Sequence, residues 1–409
     1  MKYVIIGNSA AGIGAVEGIR KIDPNGEIII VSNEPYHTYS RPLISYLLRG
    51  KTTKDKMKYR GERFYTDNNC TFLAGKTVAS INAHEKHIVL DDGQLVSYDK
   101  LLVATGSRAF VPPFDGVDSV KNSHTFMSLK DANEINKDLE PHKKILIIGA
   151  GLIGLKCAEG IHDRVNKITV IDLAPRILSS ILDDDGAALV QKHLEDNGVE
   201  FNLSCSVTHF EENTAILQDG RQISFDILIL AVGVRPNVEL LSGIADTDRG
   251  IIINEKSETS AKDIYAAGDC TQSIDASSGQ QKIMALLPNA YMQGECAGIN
   301  MAGGESSFKK AIPMNAIGFF GLHIITAGNY NGDVYKTSCE NNYKKLFHAD
   351  NNLNGFILIG AVEKAGIYTS LIREQLPLDT IDFHLICEKP GLMAFTREDR
   401  AAKLGGIAK

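Results

Sequence analysis

The chain has 409 residues, of which 44% are hydrophobic and 23% charged, and its formal net charge is −7 at pH 7. This length predicts two or three domains, and this composition is that of an ordinary soluble globular protein, which excludes a disordered, collagen-like or coiled-coil chain. The acidic balance argues against a nucleic-acid partner, the lack of a long apolar run argues against a membrane span, and the lack of a signal-peptide pattern indicates the cytoplasm.

The first predicted element is a buried strand that runs through a glycine turn into a helix, at residues 3–15 (YVIIGNSAAGIGA). A second buried strand is predicted at Glu27 to Val31, which completes a βαβ unit. A glycine turn at a helix N-terminus allows a pyrophosphate to approach backbone N–H groups, because no side chain blocks the way. The match is weaker here than in the full motif, since Ser9 stands where the second glycine is expected.

A hairpin is predicted next, at residues 86–98 around Asp91-Asp92-Gly93. It is followed by Ala104-Thr105-Gly106 and then by Pro112-Pro113, which breaks the chain. This break predicts a crossing between domains.

A second βαβ unit starts at residues 145–155 (ILIIGAGLIGL), which contain the complete G-x-G-x-x-G pattern. Its second strand is predicted at Lys167 to Ile171, and Asp172 follows directly. An acid in this position binds a ribose 2′-hydroxyl and repels a 2′-phosphate, so the sequence favours NADH over NADPH. Arg176 nearby keeps NADPH open as an alternative.

The rest of the chain is predicted to hold another hairpin, at residues 215–225, and then a third domain of the α+β class beyond about residue 310. The predicted elements of the third domain are strands at 316–321, 344–348 and 355–362, and helices at 364–374 and 379–388.

Five motifs occur in a characteristic order: the first glycine turn, residues 104–108 (ATGSR), the second glycine turn, residues 231–237 (AVGVRPN) and residues 264–269 (IYAAGD). This series resembles the FAD-dependent pyridine nucleotide–disulfide oxidoreductase superfamily over about residues 1–305. Residues 34–45 and 288–298 look most like NADH:rubredoxin oxidoreductases, the flavin part of nitrite reductase large subunits, and FAD subunits of NAD-linked iron–sulfur oxidoreductase complexes.

The resemblance implies an α/β fold with two Rossmann-like dinucleotide-binding domains, one for FAD and one for NAD, plus a C-terminal α+β interface domain. The implied FAD domain is discontinuous, at 1–113 and 247–310, and the NAD domain at 114–246 is inserted into it. The interface domain is expected at 311–409.

The resemblance also implies FAD and NAD(H) as cofactors and assigns residues to each. For FAD these are Gly7, Ser9, Ala11, Gly12, Asn33, Glu34, Arg41, Pro42, Val78, Ala104, Thr105, Gly106, Arg108, Gly268, Asp269, Pro288 and Ala290. For NAD they are Gly149, Gly151, Ile153, Gly154, Asp172 and Gly233.

The sequence departs from the superfamily at its reactive groups. No cysteine pair follows the first glycine turn, and residues 40–45 contain no cysteine, so reduction of a disulfide or of peroxide by a cysteine is not expected. The seven cysteines include no C-x-x-C pair, which argues against a metal site, and Cys157 is predicted to pack in the core. Lys156 stands where relatives often have a glutamate that contacts the nicotinamide, which makes it a possible modulator.

The implied function is electron transfer between NADH and a protein carrier, based on the flavin and not on a catalytic side chain. The expected partner is a small redox protein of the ferredoxin or rubredoxin type, or iron–sulfur subunits, and a homodimer or a hetero-complex is possible. A basic cluster is one candidate docking face, at Lys51, Lys54, Lys56, Lys58, Arg60 and Arg63. Three alternatives stay open: a stand-alone NADH oxidase or diaphorase, a flavin subunit with a sensory or structural role, and an electron-transfer flavoprotein that binds no nicotinamide.

Overall fold

The computed structural model of the chain describes residues 1–309 and 311–404, and its contacts divide it into two compact units. The first unit contains Met1–Ser179, Glu195–Ile274 and Gln281–Lys309, and the second contains Ser180–Leu194, Asp275–Gln280 and the described part of Lys310–Lys409. Nearly all of both predicted dinucleotide domains falls in the first unit, so the boundary between those domains stays a prediction. Over the described ranges, no helix is both long and apolar enough to cross a bilayer.

The chain begins with a parallel sheet whose strands are rich in β-branched residues. Residues 2–109 form strands β1 (Lys2–Ile6), β2 (Glu27–Ser32), β3 (Cys70–Ala74), β4 (Val78–Asn82), β5 (His87–Leu90), β6 (Leu95–Ser97), β7 (Lys100–Val103) and β8 (Ser107–Ala109). The same stretch forms helices α1 (Ala10–Ile22), α2 (Ile44–Leu48) and α3 (Phe64–Asp67). Strand β1 pairs in parallel with β2 and β7, and β2 with β3. Strands β4, β5 and β6 form an antiparallel sheet, which confirms the first predicted hairpin.

A second parallel sheet follows, with the order β12-β11-β10-β16-β9. This stretch forms β9 (Ser123–Thr125), β10 (Lys144–Ile148), β11 (Lys167–Ile171), β12 (Val199–Asn202), β13 (Val207–Glu211), β14 (Thr214–Leu217), β15 (Gln222–Ser224), β16 (Ile227–Leu230) and β17 (Val234–Pro236), with α4 (Leu129–Asp138), α5 (Leu152–Ile161) and α6 (Asp184–Asp196). Strands β14 and β15 are the second predicted hairpin. Both predicted βαβ units are therefore confirmed.

The chain then returns to the first sheet. The returning stretch forms β18 (Ile251–Ile252), β19 (Ile264–Ala266), β20 (Thr271–Ile274), β21 (Gln281–Lys282) and α7 (Leu287–Met301). Strand β19 pairs with β7, which gives the first sheet the order β19-β7-β1-β2-β3. The outgoing strand β8 and the incoming strand β17 pair antiparallel, so the chain leaves and re-enters along one short ladder.

The C-terminal stretch confirms the α+β prediction. It forms β22 (Met314–Phe319), β23 (Leu322–Gly328), β24 (Asp333–Cys339), β25 (Asn342–Ala349), β26 (Asn352–Ile359), α8 (Ala365–Glu374), α9 (Phe383–Glu388) and α10 (Arg397–Leu404). Five strands form one antiparallel sheet, where the sequence predicted three. Strands β23 and β24 were not predicted; β24 is an almost fully exposed edge strand without an apolar face.

Helices α1 and α7 cross at unusually short range through four glycines. An added Cβ at Gly14 would lie 2.3 Å from the Tyr291 carbonyl oxygen, and one at Gly18 would lie 2.3 Å from that of Glu295. From the other helix, an added Cβ at Gly294 would lie 2.0 Å from the Ala11 oxygen, and one at Gly298 2.2 Å from that of Ala15. The two backbones are therefore in direct contact, with no room for side chains between them.

Replacing Gly294 with alanine should destabilise the first unit by about 1–3 kcal/mol, because the helices must move apart. Thermal unfolding of the variant measures this as a lower Tm. Gly366→Ala is the matched control, since Gly366 also lies in a helix and an added Cβ there meets nothing within 4 Å. Equal Tm values for Gly294→Ala and the wild type would contradict the close helix contact.

Candidate functional site

The two glycine turns have the same geometry at the ends of equivalent strands. Gly7 and Gly149 have φ of 122° and 113°, which disfavours any side chain. A Cβ would lie 2.1 Å from the Ala104 oxygen at Gly7, and 2.3 Å from the Ala231 oxygen at Gly149. Each turn is thus pressed against the end of a neighbouring parallel strand.

The remaining positions of the two motifs also correspond. A Cβ at Gly12 would lie 2.1 Å from the Gly7 oxygen, and one at Gly154 would lie 2.1 Å from the Gly149 oxygen. At the middle position an added Cβ on Gly151 meets nothing within 4 Å. The equivalent position in the first turn therefore accepts a serine, which explains why Ser9 is compatible with the motif.

Three helices begin without a side-chain cap near these motifs: α1 after Ser9, α5 after Gly151 and α7 after Leu286. Helix α4, in contrast, begins with a complete capping box between Ser128 and Asp131. The first N–H groups of an uncapped helix need an acceptor from elsewhere and favour an anion. The starts of α1 and α5 are therefore suited to the phosphates of two dinucleotides.

Gly268 and Asp269 lie between the starts of α1 and α7. A Cβ at Gly268 would lie 3.1 Å from the Ala11 Cβ and 3.6 Å from the Ala290 Cβ. The Asp269 carboxylate accepts no hydrogen bond from any described residue. Burial raises its pKa above the usual value, and the Arg41 guanidinium partly offsets this. A half-buried carboxylate without a donor fits a ligand that brings hydroxyl groups, as the polyol chain of FAD does.

The structure joins two predicted FAD residues directly to each other. The Arg41 guanidinium lies 2.5 Å from one carboxylate oxygen of Glu34, and the other oxygen accepts a hydrogen bond from the Tyr39 hydroxyl at 2.8 Å. The same hydroxyl accepts from the Leu129 N–H at the start of α4. Asn33 is exposed. The predicted ribose role of Glu34 or Asn33 stays a prediction.

Thr105, Gly106 and Arg108 lie at the ladder where the chain crosses between the sheets. Asn237 donates its side-chain N–H to the Thr105 oxygen at 2.9 Å and its backbone N–H to the Gly106 oxygen at 2.9 Å. Arg108 pairs with Glu239 at 2.6 Å. The motifs at 104–108 and 231–237 thus hold the crossing segments together.

The other residues predicted to bind FAD or NAD lie on several different elements. Val78 is buried on β4, Pro42 lies in a short 3₁₀ helix at Arg41–Leu43, and Pro288 lies in the first turn of α7. Ile153 lies in the first turn of α5. Gly233 has φ of 131°, and an added Cβ there would meet nothing within 4 Å.

Asp172 fixes the second glycine turn. One carboxylate oxygen accepts from the Ala150 N–H at 2.6 Å, and the other accepts from the Ala174 N–H at 2.8 Å. The carboxylate therefore lies against the second glycine turn. Leu173 is 72% exposed and adds an apolar surface at the same end of the sheet.

The cysteines near the sites are not poised for thiolate chemistry. Burial raises the pKa of Cys270, next to Asp269, to about 11, and it raises the pKa of Cys157 further. Cys157 is fully buried, as predicted. Among the described residues no group of histidine, cysteine and acidic side chains is arranged to hold a metal ion.

The comparisons with known proteins agree with this geometry. A sequence profile described as pyridine nucleotide-disulphide oxidoreductase matches residues 1–294. The chain belongs to this family. It is 28% identical over 391 residues to the NADH-dependent phenylglyoxylate dehydrogenase subunit epsilon of Aromatoleum evansii, covering 92% of each chain. It is 35% identical over 321 residues to an NADH oxidase of Methanocaldococcus jannaschii, covering 75% of this chain and 71% of the relative.

A solved structure has the same fold over most of the chain. The covalent putidaredoxin reductase–putidaredoxin complex contains a chain that superposes with a TM-score of 0.88 at 24% identity, with 96% of this chain and 97% of that chain covered. The protein is thus an NAD(H)-dependent flavin oxidoreductase with FAD and NAD(H) as its cofactors.

Sequence reasoning missed two features of the site. The ion pair between Arg41 and Glu34 joins residues predicted to act separately. The close α1–α7 crossing was also missed, although the spacing Gly14-x-x-x-Gly18 and Gly294-x-x-x-Gly298 carries a signal for it.

Replacing Asp172 with alanine should loosen the second glycine turn even without nucleotide, since the Ala150 and Ala174 N–H groups lose a charged acceptor. Hydrogen bonds to charged groups contribute about 1.5–3 kcal/mol each. Amide hydrogen exchange of the peptide covering 149–154 should become faster by tenfold or more. Asp118→Ala, which removes an exposed carboxylate elsewhere in the first unit, should leave that exchange unchanged. Unchanged exchange in Asp172→Ala would show that the carboxylate does not hold the turn.

Proposed function

We propose that the protein takes a hydride from NADH and passes the electrons one at a time to a protein electron carrier or to an iron–sulfur partner subunit. The observation that carries this proposal is the pair of uncapped glycine turns on two equivalent sheets, with Asp269 without a donor beside the first turn. FAD supplies the chemistry that accepts a pair of electrons and releases single electrons.

The first site is suited to FAD. The N–H groups at the start of α1, around Ala11 and Gly12, would hold the pyrophosphate, and Asp269 would accept from the polyol chain. Helix α7 begins at Leu287 without a cap, and its dipole would stabilise negative charge on the reduced ring. Val78 would contact the adenine through its backbone.

The second site is suited to NADH. The N–H groups at the start of α5, after Gly151, would hold its pyrophosphate, and Asp172 would accept from the adenosine ribose. Because Asp172 already lies against the turn as a carboxylate with two N–H donors, a 2′-phosphate would meet negative charge there. This supports NADH over NADPH.

The chain's own residues bind and orient the two cofactors, and no side-chain acid or base is needed. The raised thiol pKa of Cys270 and of Cys157 supports a route without a redox-active cysteine. This separates the proposed reaction from disulfide reduction.

The partner is proposed to be a small acidic redox protein or an iron–sulfur subunit. The Aromatoleum relative is named as a subunit of a larger dehydrogenase, which supports the second form. Only part of the predicted basic docking face is available: Arg60 pairs with Glu17, Arg63 with Asp67, and Lys58 with Asp55 and Glu62. The exposed lysines that remain for an acidic partner are Lys51, Lys54 and Lys56.

A second candidate function is direct oxidation of NADH by oxygen, since the relative with 35% identity is named an NADH oxidase. It differs from the first in needing no protein acceptor.

Electron acceptors should distinguish the two functions. With FAD-loaded protein and NADH, we expect reduction of a rubredoxin or ferredoxin to be at least tenfold faster than consumption of oxygen. Replacing Lys51, Lys54 and Lys56 together with glutamine should raise the KM for the carrier and weaken its dependence on salt, while flavin reduction by NADH stays unchanged. Oxygen consumption faster than carrier reduction would favour the oxidase.

A further inference from the structure

The two glycine turns are anchored differently. In the second turn, the Asp172 carboxylate accepts a hydrogen bond from the Ala150 N–H at 2.6 Å. The acid that follows β2 is Glu34, and its carboxylate pairs with Arg41 and Tyr39. Among the described residues, no hydrogen bond joins Glu34 to the first turn. The first turn is therefore held by another group.

The anchor of the first turn is the side chain of Asn8, which stands where the second turn has Ala150. The side-chain oxygen of Asn8 accepts a hydrogen bond from the Tyr65 hydroxyl at 2.9 Å, and its side-chain N–H donates to the Tyr36 carbonyl oxygen at 3.3 Å. Both ends of the amide are engaged, which fixes the side chain in one orientation. Because Asn8 directly follows Gly7, a fixed Asn8 limits the backbone conformations that are open to the turn.

The Tyr65 hydroxyl also connects the turn to the loop that follows β2. It accepts a hydrogen bond from the Thr38 N–H at 3.0 Å, and Thr38 lies in the loop at 33–40 that leads to Arg41. One hydroxyl therefore joins the two segments that the resemblance assigns to FAD. Burial raises the pKa of Tyr65 above its usual value, so the hydroxyl stays protonated and can donate to Asn8.

The Tyr65 ring is held by three aromatic neighbours. Phe72 stacks on it with ring centroids 4.8 Å apart, and His37 and Phe64 meet it edge-on at 4.9 Å and 5.5 Å. Packing of this kind fixes the ring and presents its hydroxyl at one point. Removing the oxygen alone, as in Tyr65→Phe, leaves these ring contacts in place.

We propose that Tyr65 is a positioning residue for FAD, whose hydroxyl acts through Asn8 to hold the first glycine turn in the conformation that receives the pyrophosphate. This inference rests on the proposed function. The N–H groups at the start of α1 hold a pyrophosphate only when they converge on it, so a turn that samples other conformations binds FAD more weakly. Both hydrogen bonds of the hydroxyl go to the protein, so its effect reaches FAD through the turn.

The test is the affinity of the full chain for FAD, measured by stripping the cofactor and titrating FAD back while following flavin fluorescence. Tyr65→Phe should weaken FAD binding by about fivefold to tenfold, the effect of one hydrogen bond. Without FAD, amide hydrogen exchange of the peptide covering 7–12 should become faster in this variant, while exchange of the peptide covering 149–154 stays unchanged. Asn8→Ala should weaken FAD binding at least as much. The double variant should bind FAD no more weakly than Asn8→Ala alone, because Tyr65 acts through Asn8.

Tyr3→Phe is the matched control. Tyr3 lies near the start of β1, at the opposite end of the strand from Gly7, and its hydroxyl donates to the Asp23 carboxylate at 2.9 Å. This variant also loses a tyrosine hydrogen bond beside the first sheet, so it should lower the Tm but leave the affinity for FAD unchanged.

Three results would overturn the proposal: equal FAD affinity in Tyr65→Phe and the wild type, an equal loss of affinity in Tyr65→Phe and Tyr3→Phe, or losses that add up in the double variant. The second result would show an effect of stability alone, and the third would show that Tyr65 does not act through Asn8. A wild-type chain that binds no FAD would instead overturn the proposed function.

Discussion

The candidate FAD site depends on the backbone contact between α1 and α7. Four glycines allow these helices to approach until carbonyl oxygens of one helix occupy the space where side chains of the other would lie. Helix α1 starts at the first glycine turn, and the start of α7 is the positive end of the helix dipole that is proposed to face the flavin. The contact between α1 and α7 therefore sets the distance between these two helix starts. Gly268 fits between Ala11 and Ala290 at the same end, which places Asp269 beside both helix N-termini. A wider crossing would move all three elements apart.

The second site repeats the turn but not its surroundings. At both sheets the first glycine of the turn packs against the end of the neighbouring strand: Gly7 contacts Ala104, and Gly149 contacts Ala231. The acids that follow the second strand differ, since Asp172 accepts from backbone N–H groups of its own turn, whereas Glu34 pairs with Arg41 and Tyr39. The two turns thus share one geometry, while the acid after the second strand has different partners in each.

Features encoded locally in the sequence were predictable. The glycine turns at Gly7 and Gly149, the hairpins and the α+β character of the C-terminal stretch follow from short patterns, and the structure confirms them. Features that depend on distant partners were not predictable. Arg60 looks like part of a basic face in sequence, but Glu17, 43 residues earlier in the chain, pairs with it in the fold. Likewise, Ser180–Leu194 belongs to the C-terminal unit through contacts such as the ion pair between Lys345 and Asp183. No local sequence pattern predicts this grouping.

The two glycine turns are proposed to serve one reaction, the transfer of a hydride from NADH to FAD. The most direct test is anaerobic stopped-flow mixing of the purified protein with NADH and with NADPH, following the visible absorption of the flavin. We expect rapid bleaching with NADH and slower bleaching with NADPH, because Asp172 lies against the second turn. A yellow protein that NADH leaves oxidised would contradict hydride transfer to FAD and would favour a sensory or nicotinamide-free role for the flavin.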